Sequence, residues 1–314
     1  MGGIDAAREF KAEILENAEI AEGIYNLWIR ADEGIHSAPG QFVNVYMDRP
    51  DMLLPRPISI CGAEGDRVRL VYQIAGKGTE YLSGLKPVER ICVVGPLGNG
   101  FTIDFGAERG YSTVPSRHCG LDPQSHADAD VMGSRVKPGM TLASLCNSHV
   151  NDRSHQESEI PGRILLLGGG IGVPPLLYFA KTSGPAIAVL GFRSASAVIL
   201  ADEFTALGCE TIISTDDGSM GYKGNVIDLT NEVSLGEIST ICACGPRAML
   251  RSVAEYAAGA GIPCQVSMEE HMGCGIGACL CCPVPILENG ARTYKKLCAD
   301  GPVFDAASVI WEDM

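Results

Sequence analysis

The feature that most constrains this chain is a glycine-rich run of cysteines near its end, Met272-Gly273-Cys274-Gly275-Ile276-Gly277-Ala278-Cys279-Leu280-Cys281-Cys282, answered by Cys298. Four residues separate Cys274 from Cys279, two separate Cys279 from Cys282, and Cys298 follows after a longer gap. That is the C-x4-C-x2-C…C spacing of a plant-type [2Fe-2S] centre. Such a cluster needs four thiolates converging on one small rhomb, so a loop supplying three of them must wrap the inorganic sulfides. Gly273, Gly275 and Gly277 permit the positive φ this requires and leave amide N–H groups to face sulfur. Cys281 breaks the spacing and reads as a bystander. Two other uses compete. A structural zinc usually pairs two C-x2-C knuckles, and one is present. Disulfides belong to an oxidising compartment; no signal peptide opens this sequence, so the expectation is a reducing cytoplasm.

The rest of the composition narrows the class. A chain of 314 residues with 46% hydrophobic and 20% charged residues suits two or three globular domains. No apolar run approaches the ~18 residues of a membrane span. The formal net charge of −14 opposes binding to nucleic acid or anionic lipid, which needs a concentrated basic face. Small molecules and proteins are the expected partners.

Residues 1–105 read as a small antiparallel barrel. Lys11 to Arg30 suggests strand, turn at Asn17, strand; Gln41 to Met47 alternates like a half-buried strand; Ile58 to Cys61, Val68 to Ile74 and Ile91 to Val94 follow between Gly and Pro turns. Within it, Arg56-Pro57-Ile58-Ser59 carries a guanidinium three positions before a hydroxyl, useful together if the prolines bend the chain so that Arg56 reaches a phosphate and Ser59 a ring nitrogen. Gly76-Lys77-Gly78-Thr79 opens a short helix at Glu80 to Leu82, whose free N–H groups suit a pyrophosphate. Each alone equally fits a surface Arg or a glycine turn with a Thr N-cap. Residues 106–161 lose periodicity and read as a low-complexity insertion. Its His118, His126, His149 and His155, with Cys119 and Cys146, match no metal-ligand spacing. Parts of it look like translated dispersed repeat DNA.

Residues 162–266 read as a doubly wound α/β domain. Strand Ile164 to Leu167, turn Gly168-Gly169-Gly170-Ile171-Gly172 and helix Val173 to Lys181 form a phosphate cradle without the strict G-x-G-x-x-G fingerprint. Further strands are expected at Ala186 to Gly191, Thr211 to Ser214 and Ile238 to Ala243, and helices at Ile199 to Leu207 and Arg247 to Ala258. The loop after Ser214 carries Asp216 at a strand's carboxyl end, and Cys244-Gly245-Pro246 caps another. Cys244 lacks a visible base and reads as a small side chain beside a nicotinamide. No side-chain acid or base is signalled. Residues 267–314 form the cluster module.

Together, Arg56 to Ser59, Gly78-Thr79, the Gly168 to Leu176 loop, Cys244-Gly245-Pro246 and the four cysteines resemble the ferredoxin-NADP reductase superfamily with a C-terminal [2Fe-2S] module. Within it they are similar to the branch of electron transfer subunits of dihydroorotate dehydrogenase B. The resemblance covers nearly all but the insertion. It implies that Arg56, Pro57, Ile58, Ser59, Val71, Tyr72, Gln73, Gly78 and Thr79 bind FAD. It assigns Gly168, Gly169, Gly170, Ile171, Gly172, Asp216, Cys244, Gly245 and Pro246 to NAD, and Cys274, Cys279, Cys282 and Cys298 to the [2Fe-2S] cluster. It leaves the flavin's stacking partner unidentified, since Ile58 stands where many members have an aromatic residue. The implied activity passes electrons from an FMN-containing catalytic subunit through the cluster and FAD to NAD+ in pyrimidine biosynthesis, in a heterotetramer of two subunits of each kind. Rival expectations are a reductase subunit of a sulfhydrogenase, sulfite reductase or ferredoxin-NADP transhydrogenase, and a redox-sensing binding protein. Asp216 and Asp217 favour NAD over NADP, whose extra phosphate Arg193 would instead welcome.

Overall fold

The alternating N-terminal residues form six strands: β1 (Arg8–Ala21), β2 (Ile24–Ala31), β3 (Phe42–Tyr46), β4 (Arg56–Glu64), β5 (Arg67–Gln73) and β6 (Arg90–Leu97). They close into an antiparallel barrel in the order β1-β2-β5-β4-β3-β6. The structure is a computed structural model that describes residues 7–32, 35–102, 162–230 and 235–313; the insertion read at 106–161, with its four histidines, lies outside the described residues. Ile14, Leu27, Ile29, Val43, Ile60 and Leu70 fill the barrel and are fully buried. The turn expected at Asn17 is absent: β1 runs through it with a register shift, and the chain reverses at Gly23, where φ is +69°. Asn17 has another task. Its Nδ2 donates to the Leu82 and Leu85 carbonyls at 2.8 and 3.0 Å, and its Oδ1 accepts from the Tyr72 hydroxyl, which ties down helix α1 (Lys77–Gly84) between β5 and β6.

Strand β3 differs from its half-buried reading, because Phe42, Val43, Asn44 and Val45 are all buried. Val43 and Val45 face the barrel interior, so Phe42, Asn44 and Tyr46 face outward. Phe42 packs with Leu97, Val284, Leu297 and Cys298, so the C-terminal module covers that outer face.

The second layer is a sheet built on β7 (Arg163–Gly169), β8 (Ile187–Phe192), β9 (Glu210–Thr215), β10 (Tyr222–Lys223), β11 (Ile238–Cys244) and β12 (Cys264–Ser267). Its helices are α2 (Val173–Ser183), α3 (Ala201–Ala206), α4 (Val226–Thr230) and α5 (Arg247–Ala260). The strands are parallel in the order β10-β9-β8-β7-β11-β12, as crossover helices require. Helix α3 is shorter than its apolar pattern suggested, since Leu200 takes a left-handed φ of 62° and sets its start.

The chain ends with hairpin β13 (Pro283–Glu288) and β14 (Ala291–Lys296), helix α6 (Leu297–Asp300) and β15 (Val303–Asp305). Strand β15 pairs antiparallel with β12 and so extends the α/β sheet. The cluster module is thus anchored to both layers: to the barrel through β3 and to the sheet through β15.

A buried polar clamp joins barrel and sheet. Arg69 on β5 is 8% exposed, donates both terminal nitrogens to Glu203 on α3 at 2.6 and 2.8 Å, and donates Nε to Asn26 at 2.6 Å. A bidentate guanidinium–carboxylate pair fixes orientation as well as distance. Removing the carboxylate strands the buried cation, but Glu203 is partly open to water, which moderates the penalty. Glu203→Ala is expected to lower stability by about 1–3 kcal/mol in urea unfolding, whereas removing the exposed Arg251–Glu255 pair is expected to change it by under ~0.5 kcal/mol.

Candidate cluster and cofactor sites

The cysteine loop folds as two of its three glycines predict, whereas Gly273 does not take a positive φ. Gly275 and Gly277 take φ of +67° and +79°, and a Cβ at Gly275 would collide with the Asn44 carboxamide. The sulfurs fall into two sets. The Cys279 amide donates to Cys274 Sγ at 3.3 Å, while Cys282 and Cys298 sulfurs stand 3.4 Å apart with the Gly277 amide donating to Cys298 at 3.1 Å. Lys296 Nζ closes the loop by donating to the Gly277 carbonyl at 2.6 Å.

Electrostatics divides these thiols further. The Cys274 amide, followed by the Cys281 amide, pulls the Cys279 thiol down to about 6, whereas burial pushes Cys298 up to about 12. Two buried thiols in contact cannot both ionise in a low-dielectric site without a cation between them, so the donor set suits an iron cluster. Among the described residues no three His, Cys, Asp or Glu side chains close on one ion-sized point, so the fit rests on these pairwise contacts and the amide donors.

Asn44 was not singled out by sequence. It is fully buried, its Nδ2 reaches the Cys274 carbonyl at 3.5 Å, and its Oδ1 has no partner. The available signal was a polar residue at an outward position of a strand with no solvent to face. In register it opposes Pro57 on β4, so the cluster loop sits directly beside the Arg-Pro-Ile-Ser element.

That element brings together some of the expected flavin residues. Arg56 Nη1 is held by the Leu54 and Pro55 carbonyls at 2.8 and 3.3 Å, and its guanidinium lies against Gly78, where any Cβ would overlap it. In α1 the Glu80 amide bonds the Gly76 carbonyl, leaving the preceding amides as free donors beside Arg56. Thr79 Oγ accepts from Ala75 and Gly76 amides at 2.9 and 3.3 Å and shapes that turn. Pro57 is exposed and Ser59 half-exposed, whereas Ile58 points into the barrel core. Ile58 therefore offers no stacking surface. Tyr72, whose hydroxyl is taken by Asn17, and Val71 are also buried, while Gln73 is exposed.

The nucleotide turn is equally well formed. Gly170 takes φ +52° with open space beside it, and Gly172 packs against the Cys244 carbonyl with no room for a side chain. A Cβ on Gly245 would stand 3.1 Å from Gly169 Cα, and one on Gly169 would stand 2.9 Å from Pro246. Gly168 to Gly172 and Cys244 to Pro246 are thus one surface at the carboxyl ends of β7 and β11, with Ile171 half-buried in it. Asp216 lies at the same edge beyond β8, its amide donating to the Phe192 carbonyl at 3.0 Å. Burial pushes the Cys244 thiol up to about 12, which rules against a thiolate nucleophile at neutral pH.

A flavin-type barrel, a nucleotide-binding sheet and a four-cysteine loop together define a reductase-fold oxidoreductase with an iron-sulfur module. A family model described as the iron-sulfur cluster binding domain of dihydroorotate dehydrogenase B matches residues 269–310. The dihydroorotate dehydrogenase B (NAD(+)) electron transfer subunit of Caldanaerobacter subterraneus subsp. tengcongensis is 31% identical over 96% of this chain and 99% of its own. That of Geobacillus kaustophilus is 37% identical over 87% of this chain and 86% of its own. The solved NADH-dependent reduced ferredoxin-NADP oxidoreductase, studied for flavin-based electron bifurcation, superposes with a TM-score of 0.70 at 26% identity, over 100% of this chain and 92% of that one. The chain belongs to the family of dihydroorotate dehydrogenase B (NAD+) electron transfer subunits.

Two glycines test these sites separately. Gly275→Ala, which adds a Cβ at positive φ against Asn44, is expected to lose most iron and sulfide while retaining FAD. Gly78→Val is expected to displace Arg56 and weaken FAD binding about tenfold or more, ~1.4 kcal/mol, by flavin fluorescence titration, while iron content holds.

Proposed function

We propose that this chain passes electrons from the FMN of a separate dihydroorotate dehydrogenase subunit, through a [2Fe-2S] cluster and FAD, to NAD+. The groups it would bind supply complementary chemistry: the cluster moves one electron, nicotinamide accepts a hydride, and flavin handles either. The protein's own task is to place them. Cys274, Cys279, Cys282 and Cys298 hold the cluster; Arg56 and the α1 amides hold the FAD diphosphate; Ser59 offers a hydroxyl on the same outer face. The Gly168 to Gly172 turn receives NAD beside Cys244, and Asp216 and Asp217 disfavour a 2′-phosphate.

The observation that carries this reading is the seating of the cluster loop on β3, one strand from Arg56 to Ser59. Adjacent strands lie about 4.8 Å apart, so a flavin on β4 would lie beside the loop without intervening solvent. A relay needs that proximity; a sensor that only binds has no use for it. A heterotetramer of two subunits of each kind, acting in the cytoplasm, completes the proposal. No helix among the described residues is long and apolar enough to cross a membrane. The full-length likeness to the ferredoxin-linked oxidoreductase supports a second reading, in which the same relay serves a ferredoxin-dependent partner.

Anaerobically purified protein is expected to reduce dyes with NADH. Cys298→Ser is expected to abolish the cluster's absorbance and paramagnetic signal yet keep NADH–dye activity within about twofold, since dyes accept directly from flavin. Loss of FAD in that variant would break the separation of the two sites.

A further inference from the structure

Cys281 is the one cysteine of the loop that the four-ligand scheme leaves without work, and its sulfur lies against the same glycine as that of Cys279. A Cβ on Gly273 would stand 3.0 Å from Cys281 Sγ and 3.4 Å from Cys279 Sγ, so both sulfurs crowd the same glycine. Cys279 also meets Cys274, whose Sγ accepts from the Cys279 amide at 3.3 Å. Neighbouring Cys282 is instead buried, 3.4 Å from the Cys298 sulfur. Five sulfurs therefore divide into a set of three, Cys274, Cys279 and Cys281, and a set of two, Cys282 and Cys298. A two-iron cluster takes two protein sulfurs on each iron. The first set has one more than it needs; the second has none to spare.

From this geometry we infer that Cys281 is a replacement ligand for the iron held by Cys274 and Cys279, able to take the place of Cys279. The inference rests on the loop holding a [2Fe-2S] cluster. The exchange needs no oxidant or reductant. With a cluster bound, Cys281 would give its thiol proton to solvent on becoming a ligand, and Cys279 would take a proton up on its release. Two features make the site suited to such exchange. Cys281 and Leu280 are exposed at the loop's outer edge, where Cys274 and Cys279 are partly exposed and open to oxidation or alkylation, and the glycines at 273, 275 and 277 give the backbone conformational freedom. A buried Cys282 or Cys298 has no such alternative.

The test compares Cys279→Ala, Cys281→Ala, Cys282→Ala and the Cys279→Ala/Cys281→Ala double variant in the full chain purified anaerobically. Iron, acid-labile sulfide, the reduced-state paramagnetic signal and FAD content are measured for each. The expected result is that Cys281→Ala keeps its cluster and Cys279→Ala keeps at least about half of it with a shifted signal. Cys282→Ala and the double variant should fall about tenfold or more. Equal loss in Cys279→Ala and Cys282→Ala would overturn the inference, as would equal retention in Cys279→Ala and the double variant. Cys279→Ser, with its own Cys281→Ser double, repeats the comparison with side-chain size preserved. Loss of both cluster and FAD from both Cys279 variants would also overturn it, because a replacement ligand predicts tolerance. A wild-type chain without iron and sulfide would instead bring down the cluster reading itself.

Discussion

The structure turns on the contact between the outward face of β3 and the cysteine loop. Asn44, with no exposed surface, spends its Nδ2 on the Cys274 carbonyl and leaves its Oδ1 unpaired, a cost that an ordinary barrel strand facing water would not carry. Gly275 must be glycine both for its positive φ and for the space Asn44 occupies. Phe42 adds an apolar anchor on the same face, packed with Leu97, Leu297 and Cys298. Through these residues the cluster module becomes part of the barrel wall, and its distance from the Arg-Pro-Ile-Ser strand is set by sheet geometry.

The second attachment fixes the remaining freedom. Strand β15 joins β12, and Asn99, just past β6, donates to the Asp300 and Val303 carbonyls at 3.1 and 2.8 Å while accepting from the Val303 amide at 2.9 Å. Together with the Arg69–Glu203 clamp, this makes barrel, sheet and cluster loop mutually dependent. Electron transfer between carriers depends steeply on separation, so a rigid three-way junction is what a relay requires, and the Gly277 and Cys279 amides that donate to the Cys298 and Cys274 sulfurs would add control over the potential of a cluster held there.

Much of this was legible in the sequence because it lives in local chemistry. Spacing singled out the cysteines that the fold brings into one loop region, glycine runs marked two tight turns, and period-two alternation found the barrel strands. What escaped was tertiary. The polar Asn17 looked like a turn but is a half-buried bracket for α1, and β3 looked half-buried because nothing local says that a module about 230 residues later covers it. The same applies to β15, which belongs to the cluster region in sequence and to the α/β sheet in space. The Arg56–Gly78 contact lies between these cases: both residues stand out locally, but only the fold shows that one occupies the space a side chain on the other would need.

The most direct test of the relay is NADH formation from dihydroorotate after mixing the anaerobically purified chain with an FMN-dependent dihydroorotate dehydrogenase subunit from the same source. Each component alone serves as a control. The relay predicts NADH only from the mixture, and its loss when the Cys298→Ser chain replaces the native one. NADH–dye activity from the chain with no dihydroorotate-dependent NADH from the mixture would contradict it, leaving a flavin reductase whose electrons come from elsewhere.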